Sequence, residues 1–133
     1  MSAEKVTYLD SSAIVKLAVR EPESALLRTH LRRRRPWVSS ALARTEVVRA
    51  LLPLGPAAVA QGHDVLARLQ FVRINDRVLR TAGELEPAHL RSLDAIHLAS
   101  ALEFEADLRH VVTYDDHMIE RAHHLGLKTA TPR

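Results

Sequence analysis

The stretch Lys5-Val6-Thr7-Tyr8-Leu9-Asp10-Ser11-Ser12-Ala13 decides the fold. Its first half is rich in β-prone residues. It stops at an acid and two hydroxyls, and helical spacing begins at once with Ile14, Leu17 and Ala18. A strand that runs straight into a helix predicts a βα unit, with Asp10 at the carboxyl end of a parallel strand. In an open α/β sheet ligands collect at that edge, because the crevice outside the strand ends lies between diverging helices. Asp10 also has an ordinary use there as a helix N-cap, a role that Ser11 and Ser12 can share.

The same alternation continues outward from this unit. Glu21-Pro22-Glu23-Ser24 has the marks of a helix start, and Leu26, Leu27 and Leu31 give that helix an apolar stripe. It ends in Arg32-Arg33-Arg34-Arg35-Pro36, where the proline is a stop signal. A second strand is predicted over 37–40, leading into a serine-capped helix over 41–52 that turns Val47, Val48, Leu51 and Leu52 to the core. Pro53-Leu54-Gly55-Pro56 is a tight link to a helix over 57–69. A third strand follows over 71–74, and Asn75-Asp76 caps a helix near 77–85.

After a loop over 87–91, the helix over 92–102 is apolar almost all round, as suits one packed against a sheet. The fourth strand is predicted over 110–114. A last helix turns Met118, Ile119, Ala122 and Leu125 inward and stops at Gly126, with a short edge strand over 128–130. Strands that alternate with helices through right-handed crossovers form a mostly parallel sheet covered on both faces. The predicted fold is a three-layer α/β/α sandwich of four to five strands, in one domain over residues 1–133.

Composition narrows the function. With 133 residues, 47% hydrophobic and 26% charged, the chain can bury a real core. No apolar run is long enough to span a bilayer and the N-terminus lacks an apolar signal core, so a cytoplasmic protein without a membrane partner is expected. The absence of cysteine excludes disulfides, thiolate zinc sites and cysteine nucleophiles. A net charge of +3 favours polyanionic partners, but aromatics at 4% argue against a base-stacking platform, so nucleic acid would be held by its backbone. The run Arg32 to Arg35 suits phosphate contacts, and equally suits a helix C-terminus in solvent.

Three more acids fall at places comparable to Asp10. Asp115 follows the fourth strand, with Asp116 beside it; Asp94 lies in the first turn of the helix over 92–102; Glu46 lies one to two turns into the helix after the second strand. Each has a bland explanation alone: a cap, a dipole partner, or for Glu46 an i,i+3 pair with Arg49. Asp76 is read as such a cap. His97, one turn beyond Asp94, is read as a hydrogen-bonded core residue. Together, however, strand ends at one sheet edge can bring four carboxylates to one crevice, where their repulsion calls for a hard divalent cation, Mg²⁺ or Mn²⁺. Such a cluster can activate water against a phosphodiester. Ser12 and Thr113 could orient the carboxylates through hydrogen bonds.

Leu9-Asp10-Ser11-Ser12-Ala13, Thr45-Glu46-Val47, Asp94-Ala95-Ile96-His97-Leu98-Ala99 and Thr113-Tyr114-Asp115 occur in an order and at a spacing that resembles the PIN-domain ribonucleases, most closely the VapC-type toxins of toxin–antitoxin pairs. The resemblance spans nearly the whole chain. It implies a Mg²⁺- or Mn²⁺-dependent endoribonuclease, usually a homodimer, inhibited by a small antitoxin of VapB type. By position it makes Asp10, Glu46, Asp94 and Asp115 the acidic quartet, with Asp10, Asp94 and Asp115 as metal ligands. Ser12 and Thr113 are supporting residues. Asp116 is an extra acid beside Asp115, which is favoured because it directly follows Thr113-Tyr114. Arg32, Arg33, Arg34 and Arg35 are the candidate RNA contacts.

Three other readings compete. A phosphoacceptor receiver domain wants an acid ending a middle strand, where this chain has Ser39-Ser40. A PIN-fold module that binds RNA or regulates without turnover would use the arginine run and leave the acids idle. A histidine zinc site is disfavoured because His110, His117, His123 and His124 lack ligand spacing and are read as lying on a solvated helix face.

Overall fold

The computed structural model describes residues 4–133. Five parallel strands are ordered β3-β2-β1-β4-β5 across one sheet: β1 Val6–Leu9, β2 Trp37–Ser40, β3 Gln70–Val72, β4 Leu108–Val112 and β5 Thr129–Ala130. From β1 the chain steps outward to β2 through helices α1 (Ser11–Ala18) and α2 (Ser24–Arg32). It reaches β3 through α3 (Ala43–Leu51) and α4 (Pro56–Leu66). It then crosses back to β4 through α5 (Asp76–Glu84) and α6 (Ser92–Leu102), and α7 (Asp116–His124) leads to β5. The winding reverses between β1 and β4, which therefore flank the topological switch point of the sheet.

The pleat of β1 explains the layers. Leu9 packs into the larger core with Ile14 of α1, Leu27 and Leu31 of α2, Val47 and Leu51 of α3, and Leu66 of α4. Val6 and Tyr8, pointing the other way, meet Val38, Val111 and Ala101 of α6. Leu98, Met118 and Ala122 join α6 to α7. All four residues of β1 are buried, as expected of a central strand with helices on both faces. The sandwich and its five strands match the sequence expectation. No helix among the described residues is long and apolar enough to cross a membrane.

Several local expectations are corrected. Leu26 is half exposed, so the stripe of α2 is Leu27 and Leu31, and Leu52 is also half exposed because the helix gives way there to a 3-10 turn over Leu52–Leu54. Ser40 does not cap α3; its Oγ accepts Leu42 N–H in the turn before the helix. β4 begins and ends two residues earlier than predicted, which leaves Thr113 and Tyr114 in the link before α7 rather than in the strand. His110 is buried in β4, its Nε2 2.8 Å from Nε2 of His30, instead of lying on a solvated helix. Gly126, at φ 77°, stops α7 in the left-handed region, and Leu127 N–H closes the turn on Ala122 O.

Candidate active site

Asp10 ends β1 at the switch point. Its backbone N–H continues the ladder to Val112 O, and its side chain caps α1 by accepting Ala13 N–H at 3.1 Å. The cap reading of Asp10 therefore holds. Oδ1 also accepts Ser12 Oγ at 2.6 Å, while Oδ2 accepts Thr113 Oγ1 from the turn after β4. The group is only 4% exposed. Burial pushes its carboxyl above the usual range, against the hydrogen bonds from Ser12, Thr113 and Ala13, which favour the charged form. Ser12 and Thr113 thus both donate to Asp10, and Ser12 Oγ in addition accepts Tyr114 N–H at 2.9 Å.

Thr113 joins Asp10 to Asp115, because its Oγ1 accepts Asp115 N–H at 3.1 Å. Asp115 is the N-cap of α7 and accepts His117 N–H at 2.9 Å. Asp116 points away: its side chain is 90% exposed and its nearest cation, on Arg133, is 3.9 Å off. Of the two neighbouring acids, Asp115 is the one whose charge bears on Asp94. Asp94 lies in the first turn of α6. Burial, and then the charge of Asp115, raise its carboxyl above the ordinary range, so these two acids sense each other.

Glu46 does not pair with Arg49. Its Oε1 accepts Ser11 Oγ and His97 Nε2, both at 2.6 Å. Burial pushes the Glu46 carboxyl up, but these hydrogen bonds outweigh it and hold the group below the ordinary carboxylate range. An open groove of about 370 Å³ runs beside it, lined by Ser11, Ser12, Val15, Lys16, Glu46 and Tyr114 among others. Lys16 is held there by Glu21 and Glu23 and lies 4.9 Å over the Tyr114 ring. Tyr8, Ser11 and His97 were not singled out by sequence reasoning as site residues. The available signal was the spacing of His97, three residues after Asp94 and so on a neighbouring helix face.

Asp94 senses the charges of Asp115 and Glu46, and Thr113 ties Asp10 to the Asp115 backbone, but among the described residues no three His, Asp or Glu side chains stand together as a ready-made ligand set. The donor set nonetheless fits a hard cation. It is oxygen-only, and burial raises the carboxyls of both Asp10 and Asp94, with the charge of Asp115 adding to the second. Mg²⁺ keeps several waters and takes only one or two carboxylates directly, so it needs no closed cage.

The arginines lie elsewhere. Arg32 and Arg35 line a cavity of about 210 Å³ with Arg28, Arg68, Leu17 and Trp37, and the Arg35 guanidinium is 4.3 Å over the Trp37 ring. Arg33 is exposed, and Arg34 folds back onto His30 O at 2.7 Å. This region adjoins the last turns of α1 and α2, the end of α4 and the start of β2, at the sheet edge opposite Asp10. There the guanidiniums complement helix C-termini.

The model of the PIN domain family matches residues 7–124. The chain belongs to the PIN-domain family. Among curated relatives, this PIN domain is 57% identical over 125 residues to Ribonuclease VapC46 of Mycobacterium tuberculosis (strain ATCC 25618 / H37Rv), with 94% of this chain and 96% of the relative covered. It is 40% identical over 133 residues to Ribonuclease VapC35 of the same strain and 35% identical over 130 residues to Ribonuclease VapC47 of strain CDC 1551 / Oshkosh, at the same coverage of each chain. Asp10, Glu46, Asp94 and Asp115 all fall inside the matched span of this PIN domain.

Proposed function

We propose that the protein is an endoribonuclease that hydrolyses RNA phosphodiester bonds at the crevice bordered by Asp10, Glu46, Asp94 and Asp115, and that it acts as the toxin of a toxin–antitoxin pair. The observation that carries this reading is the joining of Asp10 to the turn bearing Asp115 through Thr113, at the switch point of the sheet. The VapC ribonucleases that the chain resembles along nearly its whole length support it.

Asp10, Asp94 and Asp115 would hold Mg²⁺ or Mn²⁺. When bound, such an ion supplies an activated water and offsets charge on the phosphate. Ser12 and Thr113 keep Asp10 aimed and favour its charged form by donating to both of its oxygens. Glu46, held below the ordinary carboxylate range, stays an ionised acceptor able to orient a water. Arg32 and Arg35, with Arg33, supply backbone contacts to flanking RNA remote from the cut. A VapB-type antitoxin would occupy the groove along Ser12, Lys16 and Tyr114, and the protein would act as a homodimer in the cytoplasm.

Induced expression tests the reading. Growth arrest accompanied by new RNA 5′ ends, relieved by the antitoxin and absent for Asp94→Asn, is the expected result. Normal growth and unchanged RNA ends with soluble protein would overturn it.

A further inference from the structure

The hydrogen bonds around Glu46 form one chain from Tyr8 through His97. Tyr8 is buried in β1, and its Oη accepts the backbone N–H of Ser40 at 3.1 Å. The phenol has a single proton to give, and His97 Nδ1 lies 2.7 Å away, with the two rings edge to face. An imidazole whose Nδ1 accepts carries its proton on Nε2, and that atom is 2.6 Å from Glu46 Oε1. Ser11 Oγ gives the same oxygen a second hydrogen bond. Oε1 is therefore doubly occupied, whereas Oε2 has no protein hydrogen-bond donor among the described residues.

A purely structural role does not explain this arrangement. Tyr8 and His97 lie between the sheet and α6, where Val6, Val38, Ala101 and Val111 form an apolar layer, and a phenol and an imidazole are costly there unless every polar atom is paired. Leucine would fill the space of His97 without that demand, while the phenol of Tyr8 is needed locally only by the Ser40 N–H. The polar chain instead ends on an acid of the crevice.

We propose that Tyr8 and His97 are positioning residues for Glu46. Resting on the nuclease reading above, the inference is that Tyr8 fixes His97 as the Nε2–H tautomer, His97 and Ser11 tie down Oε1, and Oε2 is the oxygen that meets the reacting groups. A glutamate has several freely rotating bonds, and anchoring one oxygen from two elements leaves the other a single direction.

The test combines a spectroscopic and a kinetic readout on the full chain. In ¹⁵N-histidine-labelled protein, His97 should show a protonated Nε2 and an unprotonated Nδ1, and both signals should move in Glu46→Gln and Tyr8→Phe. In cleavage assays with Mg²⁺, His97→Leu should lower kcat by about 10- to 100-fold with little change in KM. His97→Gln, whose amide can still donate to Oε1, should recover part of that loss, and Tyr8→Phe should lower kcat less than His97→Leu. Should His97→Leu fail to fold, Tyr8→Phe, which removes one oxygen, carries the kinetic test. A proton on Nδ1, or unaltered kcat in folded Tyr8→Phe, would overturn the inference. Lack of cleavage by the unaltered protein would overturn the nuclease reading instead, and the tautomer measurement, which needs no turnover, tells the two failures apart.

Discussion

Thr113 Oγ1 donates to Asp10 Oδ2 across 103 residues of sequence and at the same time accepts Asp115 N–H, so one hydroxyl sets the relation between the ends of two neighbouring strands. Thr113→Val keeps the shape and removes both bonds. It leaves a buried carboxylate oxygen and a backbone N–H without their partner, which should destabilise the fold by about 1–3 kcal/mol. The loss of aim at Asp10 should lower cleavage by about 10- to 100-fold. Denaturant titration and initial rates measured on the same preparation would check both, and an unchanged rate in the variant would remove Thr113 from the site.

Asp94 should show the opposite sign in stability. Burial and the charge of Asp115 raise its carboxyl above the unfolded value, so the folded state binds its proton more tightly, and stability is lost as pH rises through the folded value. At neutral pH the ionised group therefore works against folding. Asp94→Asn should raise Tm while abolishing cleavage, and added Mg²⁺ should raise the Tm of the unaltered protein more than that of the variant. A variant that melts lower than the unaltered protein in the absence of metal would contradict this.

The buried imidazoles of His30 and His110 predict acid sensitivity far from the crevice. Burial, and then the neighbouring His30, hold His110 down at about 4 from an ordinary 6.5. The unfolded chain binds the proton more readily, so the contribution of this pair is complete above pH 6.5 and is lost as pH falls towards 4. At about 1.4 kcal/mol per pKa unit the full shift corresponds to about 3.5 kcal/mol, which solvent screening of the partly exposed pair reduces to on the order of 2–3 kcal/mol. His110→Leu should flatten the stability profile across that window in denaturant melts; an identical acid limb in the variant would exclude the pair as its cause.

Much of this was legible in the sequence because it depends on short-range pattern. The passage from Leu9 through Asp10 into helical spacing at Ile14 marks both the strand end and the cap. The order of Asp10, Glu46, Asp94 and Asp115 carries the family resemblance. What was not legible depends on pleat parity and long-range pairing. Nothing local in His110 says that it faces His30, and nothing in Glu46 says that its partners are Ser11 and His97 rather than Arg49. Leu26 and Leu52 fit a helical stripe by spacing alone, and only the position of the neighbouring elements leaves them exposed.

The arginine edge should govern affinity rather than turnover. Arg32→Gln with Arg35→Gln removes charge from the end of the molecule opposite the acids, so RNA binding by the inactive Asp10→Asn protein should weaken. Its salt slope should fall by about 0.7 for each phosphate that the protein no longer neutralises. In the otherwise unaltered protein kcat should hold at saturating RNA. Unchanged salt dependence would assign these arginines to the helix C-termini alone.

The central claim is that four acids from separate elements act together on an RNA phosphodiester with a divalent ion. The most direct measurement is the initial rate of RNA cleavage by the purified protein against Mg²⁺ and Mn²⁺ concentration, run beside Asp10→Asn. The expected rate saturates with metal, vanishes in chelator and is absent in the folded variant. Cleavage that persists in chelator, or in Asp10→Asn, would contradict it.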